Sequence, residues 1–264
     1  MTYLPKYNKR DQYPILDYGS MVSHGMIPGH SLVSKFGLND DLDTTEETIW
    51  EAGGLFDPSA VTGAETLNIV STSTADTNTT GTGAWLVAIF GLDEDYNEIS
   101  ELTTALNGTT TVTSTNQYRA VNRVAVAYSG TNNANVGTLT FIQDTSGIKL
   151  AEVKPEESIT EQLIYTVPAG KTAYLKRIDI DAGKTSGGGT AEIEVFVYTF
   201  NPASNTRYKV LDFVLDTAVQ DNITFVQEFA NPTSEKVTIY INAVSDTQNA
   251  RVFGRFFMDL IENK

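Results

Sequence analysis

The sequence predicts an all-β protein: an extended N-terminal arm with a short helix, followed by two tandem antiparallel β-sandwich (jelly-roll-like) domains. Three observations support this. From about residue 64, apolar residues recur at every second position in short runs rich in Val, Ile, Thr, Tyr and Phe. The runs are separated by Gly, Asn, Ser and Thr, and no helical segment joins one to the next. Such alternation is typical of half-buried antiparallel strands in sandwiches or barrels.

Residues 1–55 are predicted to be a docking segment made of the arm and the helix. Tyrosines are spread through the first 18 residues together with Pro5 and Pro14. Neither a helical nor a strand period fits them, and Pro disfavours helix at and before its own position. The arm either folds back on its own chain or lies on a neighbouring subunit, where Tyr offers a large apolar contact with a polar tip.

The segment DLDTTEETIWEAGG, residues 41–54, predicts the short helix. Asp43 or Thr44 can cap its start, Glu46 or Glu47 can complete the reciprocal capping pattern, and a Gly-Gly pair can end it. Calcium is a competing interpretation, because four oxygen-bearing side chains are closely spaced at Asn39, Asp40, Asp41 and Asp43. The register required by a helix-loop-helix calcium site is not met, so a capped helix end is favoured.

Two strand-rich blocks follow, predicted as a first, acidic sandwich over residues 56–154 and a second over residues 155–264. The charged segment AEVKPEES, residues 151–158, separates them. Each block contains a strand, a loop of small polar residues, a strand, a polar turn and a further strand. This shared rhythm is compatible with a tandem duplication, although two unrelated β-rich blocks can also show it.

Charge is unevenly placed along this chain of formal net charge −15. No Lys or Arg occurs between Lys35 and Arg119, and that interval contains 14 Asp and Glu residues. Nucleic acid is therefore not expected as a partner, since such binding depends on cationic contacts to phosphate. A charged partner of the acidic interval should be basic.

Composition also limits the cellular context that we expect. The chain contains no Cys, which excludes disulfides and thiolate metal sites. No apolar run approaches the roughly 18 residues of a membrane span. The first 18 residues carry charge where a secretory signal needs a continuous apolar region, so no signal peptide is expected.

No catalytic or metal site is predicted. His24 and His30 are the only histidines, and no third ligand or metalloprotease signature accompanies them. The carboxylates Asp93, Glu94, Asp95, Glu98 and Glu101 could serve a glycosidase, but most fall in a predicted hairpin turn. The Gly-rich stretch TSGGG lacks the Lys and the following helix of a phosphate loop. No cofactor is expected.

Several motifs in order resemble a class of virion structural proteins from tailed bacteriophages. They are IPGHSLVSKFGLNDDLDTTEETIWEAGG, the block TLNIVSTSTADTNTTGTGAWLVAIFGLDEDYNEISELTTALNG, and YTVPAGKTAYLKRI. The resemblance extends from about Ile27 to Ile178. It implies a non-enzymatic particle component, a capsid decoration, cement or head-fibre-type protein, assembled into virions in the bacterial cytoplasm. A tail accessory protein is the alternative within the same class.

On this resemblance the N-terminal segment docks the protein to capsid or tail proteins or to further copies of itself, and a trimer is expected by analogy. The predicted partner-binding residues are apolar anchors and basic residues that meet an acidic neighbour: Tyr3, Tyr7, Tyr13, Phe36 and Trp50, with Lys6, Lys9 and Arg10. A rival function is carbohydrate recognition on a host surface, for which the candidate stacking aromatics are Trp85, Tyr96, Tyr118 and Tyr128.

Overall fold

The structure is a computed structural model that describes residues 17–102, 105–186, 190–217, 222–226 and 232–264, with the backbone alone for 222–226. The all-β prediction is confirmed, because strands make up 57% of the chain and the described residues contain one short α-helix. None of the described helical residues forms a segment long and apolar enough to cross a membrane.

The helix and strands occur in the following order along the chain: α1 (Tyr18–Ser23), β1 (His30–Leu42), β2 (Glu47–Thr48), β3 (Glu65–Ser71), β4 (Ala84–Leu92), β5 (Glu98–Leu102), β6 (Val112–Tyr118), β7 (Ala120–Ser129), β8 (Leu139–Gln143), β9 (Lys149–Val153), β10 (Ile164–Thr166), β11 (Lys171–Lys184), β12 (Glu192–Asn201), β13 (Thr206–Asp216), β14 (Asn222–Val226), β15 (Pro232–Thr233), β16 (Thr238–Ser245) and β17 (Ala250–Glu262). A single 3₁₀ turn, Pro58–Ala60, follows β2.

The described strands form four antiparallel sheets. Sheet A has the order β1-β17-β11-β14, with β15 added to β11, and sheet B has the order β10-β16-β12-β13, with β2 added to β16. Sheet C has the order β6-β3-β8-β9, and sheet D has the order β5-β4-β7. All residues of sheets C and D come from the first strand-rich block.

The inner strands of sheet B, β12 and β16, are buried on both faces, which is the central feature of the packing. On β12, Val195 and Val197 belong to the hydrophobic cluster shared with sheet A. The alternate residues Phe196, Tyr198 and Phe200 belong to a second cluster, shared with sheets C and D. Successive side chains of a strand point to opposite faces, so a strand buried on both sides reads as a continuous apolar run such as VFVYTF.

The two tandem sandwiches expected from the sequence are not confirmed, since the four sheets form a propeller-like arrangement of four blades. Because sheet B contributes to both hydrophobic cores, it does not belong to one of two independent sandwiches. The predicted domain boundaries at residues 55 and 154 stay predictions, but the first of them has strands on its N-terminal side. Strand β1 pairs along β17 from His30↔Ile261 to Leu42↔Ala250, and β2 pairs with β16.

The helix predicted within residues 43–54 is wrong. Strand β1 runs to Leu42, β2 occupies residues 47 and 48, and Gly53 and Gly54 form a turn with φ of +66° and +68°. Tertiary hydrogen bonds decide the conformation: the buried Thr48 hydroxyl donates to Asn242 Oδ1 (2.9 Å) and accepts from the Phe56 N–H (2.8 Å). The β-branched residues in this segment also have low helix propensity.

The long loops of the first block are fastened by one buried carboxylate, Asp76. Its Oδ1 accepts hydrogen bonds from the Ala84 and Val136 N–H groups at 2.7 and 2.9 Å. Its Oδ2 accepts from the Ser71 hydroxyl at 2.6 Å and the Gly137 N–H at 2.8 Å. A carboxylate with four donors joins the two long loops to the start of β4.

Candidate interaction surfaces

A groove of about 410 Å³ lies where the edge of sheet A meets sheet D. Residues 32–35 of β1 form one wall, and β4, β5 and β7 supply the other through Phe90, Ile99 and Asn122. Among the described strands, β1 is the last strand of sheet A and β7 is the last strand of sheet D. The two edges are joined by side chains: the Lys35 ammonium donates to the Asn122 carbonyl, and Arg123 Nη2 donates to the Ser34 carbonyl at 3.0 Å.

Lys35 is a buried cation in the wall of this groove, with 3% of its surface exposed. Burial, followed by the nearby charge of Arg123, lowers its pKa from 10.5 to about 7. Removing an ammonium from water disfavours its charged form, and a second cation adds to that effect. Lys35 therefore changes charge near neutral pH.

The carboxylate that lines the groove is already bound elsewhere. Glu98 Oε2 lies 2.5 Å from Lys171 Nζ. Neither Lys35 nor Arg123 has an ion pair with any carboxylate in the described part of the chain. The groove thus holds two cations whose charge the described residues do not balance.

A second surface is the outer edge of sheet B, formed by the 11-residue strand β13. Its inner side pairs with β12, and no described strand pairs with its outer side. Tyr208, Val210 and Val214 are exposed by 56%, 38% and 49%. A long edge strand with exposed apolar side chains is a template for pairing with another chain. A bulge opposite Val197 and Tyr198 restricts regular pairing to part of the strand.

Six of the eight predicted partner-binding residues lie outside the described residues: Tyr3, Lys6, Tyr7, Lys9, Arg10 and Tyr13. Phe36 is half-buried and lies opposite Arg255 of β17. The next residue, Gly37, lies against the backbone of Ile49 and Leu163, so Phe36 projects from the other face of sheet A. Its role as an anchor stays a prediction.

Trp50, one of the predicted apolar anchors, is a core residue. It is 5% exposed and packs edge-to-face on Phe56, with ring centroids 5.6 Å apart. Its indole N–H donates to the carbonyls of Gly53 and Gly54 at 3.1 and 3.0 Å. No side-chain surface of Trp50 is left for a partner in this conformation.

The candidate catalytic carboxylates serve the fold. Asp93 Oδ1 accepts from the N–H groups of Asp95 and Asn97 within its own turn. Glu94 Oε1 lies 2.6 Å from Arg119, and Glu101 accepts from the N–H groups of residues 115 and 116. Among the described residues, no group of three or more His, Asp or Glu is placed to hold a metal ion.

The histidines have local partners. His24 Nδ1 lies 2.8 Å from the Ser20 carbonyl at the end of α1. His30 Nδ1 lies 2.8 Å from the Tyr18 hydroxyl. Both contacts connect neighbouring parts of the N-terminal segment.

The four aromatics considered for carbohydrate stacking do not form one platform. Tyr118 is fully buried, and the Trp85 indole N–H donates to the Gly81 carbonyl at 2.7 Å. Tyr96 is covered by two cations, with Arg119 4.9 Å and Lys236 5.8 Å from its ring centre. Tyr128 alone of the four is strongly exposed, at 59%.

Sequence reasoning missed Lys35 and Arg123 as site residues. In β1, HSLVSKFGLNDDL, the buried residues Lys35, Gly37 and Asn39 lie between the apolar Val33 and Leu42, so the centre of its buried face carries no apolar signal. One clue was present: Lys35 is the last basic residue before an interval of 83 residues without another.

Comparison with known proteins gives little further information. No protein-family model and no curated protein matches the chain. Among solved structures, infectious bursal disease virus of the Gt strain has 13% identity and a TM-score of 0.18, and the T13 particle of that virus has 10% identity and a TM-score of 0.16. Each comparison covers 89% of this chain and 74% of the other. Both neighbours are viral particle structures, but similarity at this level carries no functional argument.

Proposed function

We propose that this chain is a non-enzymatic structural component of a tailed-phage virion, of the capsid decoration, cement or head-fibre type. It assembles in the host bacterial cytoplasm, acts as a homo-oligomer and docks on another virion protein through its N-terminal segment. The phage assignment is supported by the sequence resemblance described above. The structural role is supported by the all-β architecture and by an edge strand suited to pairing between chains.

The outer edge of β13 is the observation that carries the proposal, and its occupant is a second copy of this chain. The strand is basic at its start, with Arg207 and Lys209, and acidic towards its end, with Asp212 and Asp216. A two-fold antiparallel second copy with Arg207 opposite its Asp216 would place unlike charges opposite each other and bury exposed valines of both strands at the new contact. A two-fold pairing of this kind buries the same surface on each copy.

The docking part of the proposal rests on residues 1–16, together with Phe36. Residues 30–42 and 47–48 are strands of sheets A and B, so their removal would expose the core. A test of docking must therefore leave β1 intact. On this proposal the Tyr and basic residues of the first 16 positions contact the partner, as the sequence predicts.

Light scattering tests the self-association. The wild-type chain is expected to have a multiple of the 28.8 kDa chain mass, and Val210→Lys with Val214→Lys is expected to give a monomer. Both positions are exposed, so folding should be unchanged. The matched control places Lys at the exposed Thr115 and Thr145 and should keep the wild-type mass. A monomeric wild type refutes the pairing, and a trimeric mass favours the threefold expectation over the β13 pair.

Particle incorporation tests the virion role. The wild-type chain and a variant lacking residues 2–16 would be expressed in a host infected by a phage that lacks the gene. Wild-type protein should copurify with particles, and the shortened chain should remain folded but unincorporated. Absence of the wild type from particles would overturn the assignment, whatever its oligomeric mass.

A further inference from the structure

The groove between β1 and sheet D contains hydrogen-bond donors that the described chain does not use. An ammonium has three donors and a guanidinium five. Within the described chain, Lys35 Nζ has one acceptor, the Asn122 carbonyl, and Arg123 has the Ser34 carbonyl. The remaining donors of both groups belong to cations without a carboxylate partner in the described chain. An acceptor with negative charge would satisfy both at once.

The walls of the groove are apolar and partly open to solvent. Leu32 is 44% exposed and Phe90 is 45% exposed, and Ile99 and Tyr165 lie beside them. Covering these side chains would remove apolar surface from water. The preferred ligand therefore combines a carboxylate with aliphatic groups on either side of it.

The backbone of β1 provides a third element of recognition. Strand β1 is an edge of sheet A among the described strands, and its Ser34 carbonyl accepts from Arg123 in the groove. In an antiparallel strand, the N–H and C=O groups of alternate residues point to the same side, so those of Leu32 also face the groove. An extended peptide can add to such an edge through main-chain hydrogen bonds.

We propose that this groove docks an extended segment of a protein partner, with an Asp or Glu carboxylate bound between Lys35 and Arg123 and aliphatic residues against Leu32 and Phe90. The occupant is identified by charge complementarity. A nucleic acid or an anionic membrane would meet a chain of net charge −15, whereas one carboxylate meets the local cations. The inference does not depend on the virion role.

Two tripeptides and a fatty acid test the proposal by calorimetry at pH 6.5. The probes are N-acetyl-Val-Glu-Val-N-methylamide, its Gln counterpart and hexanoate. The Glu peptide should bind, and the Gln peptide should bind about tenfold or more weakly, because it loses charge-assisted hydrogen bonds. Lys35→Met and Arg123→Gln should each lower the affinity for the Glu peptide by a similar factor. Lys264→Met, which removes an exposed terminal cation, should leave its affinity unchanged.

The pH profile supplies an independent measurement. The titratable and charged groups that face Lys35 are Arg123 of β7, Glu98 of β5 and Tyr165 of β10. Loss of the Lys35 proton removes one of the two cations, so binding of the Glu peptide should weaken as pH rises through about 7. The Lys35→Met variant should show no such slope.

Four results would overturn the inference. Equal affinity for the Glu and Gln peptides, or no binding of either, means that the groove does not recognise a carboxylate. Unchanged binding by folded Lys35→Met places the peptide elsewhere. If hexanoate binds as tightly as the Glu peptide, the groove is a site for free carboxylates and not for a segment of a protein partner.

Discussion

Replacing Lys35 by Met should stabilise the protein at neutral pH. The folded state lowers the Lys35 pKa from 10.5 to about 7, chiefly by burial. A shift of this size corresponds to about 5 kcal/mol of folding free energy near pH 7, at about 1.4 kcal/mol per unit. Met keeps the aliphatic stem but leaves the Asn122 carbonyl without this donor, which costs about 1–3 kcal/mol. The net expectation at pH 7 is a gain of about 2–4 kcal/mol.

The pH dependence gives this prediction a sign. Between pH 7 and 10.5 the unfolded chain keeps the Lys35 proton and the folded chain does not. Wild-type stability should therefore rise through this window by up to about 1.4 kcal/mol per pH unit from this group. The stability advantage of Lys35→Met over wild type should shrink with rising pH and be gone above 10.5. There the two proteins should differ only by the hydrogen bond to the Asn122 carbonyl that the variant lacks.

Urea unfolding at half-unit intervals from pH 6.5 to 10.5 measures both quantities. The control is Lys264→Met, whose exposed side chain should give a difference near zero at every pH. The reasoning is refuted if Lys35→Met is less stable than wild type at pH 7. It is also refuted if the difference between the two is constant across the window.

Three further perturbations follow from the packing. Burial raises the Glu51 pKa to about 8; the Lys154 N–H opposes this shift and Glu161 adds to it. Wild-type stability should therefore fall as pH rises from 4.5 to 8. Glu51→Gln should remove that fall in urea titrations. Gly37→Ala would place a Cβ 2.7 Å from the Ile49 carbonyl and the Leu163 nitrogen, so thermal unfolding should show a loss of about 2 kcal/mol or more, and a variant with wild-type stability would contradict this geometry. Asp76→Ala leaves four donors without their acceptor and should lower the free energy of unfolding by about 3–5 kcal/mol. A loss below about 1 kcal/mol would show that water replaces the carboxylate.

The sequence was informative where burial follows residue type. Strands such as AWLVAIF and the alternating run AEIEVFVYTF lie at β4 and β12, as their period of two predicts. The same period cannot show that β12 is buried on both faces by two different cores. The number of sheets sharing a core depends on which strands pair, and pairing is not encoded in local alternation.

The N-terminal segment shows why the candidate sites were harder to predict. The centre of the inward face of β1 is occupied by Lys35, Gly37 and Asn39, and the close approach of two backbones at Gly37 leaves no room for a side chain there. A helix was expected after Leu42 because capping residues and a Gly-Gly pair occur in the right order. The local helix signals were overridden by a hydrogen bond from Thr48 to Asn242, a residue about 200 positions away. Contacts at this separation are set by the fold.

The pairing of β1 with β17 also limits the order in which the sheets can fold during synthesis. His30 and Ile261 are register partners, so β1 must wait for β17, which is synthesised about 230 residues later, before the two strands can pair. Sheets C and D draw all their strands from residues 65–153 and can pair much earlier. Long-range strand pairing is slow, and unpaired edges attract other chains during the delay. Translation speed and chaperone access near residues 155–250 should therefore govern how much of the protein folds correctly.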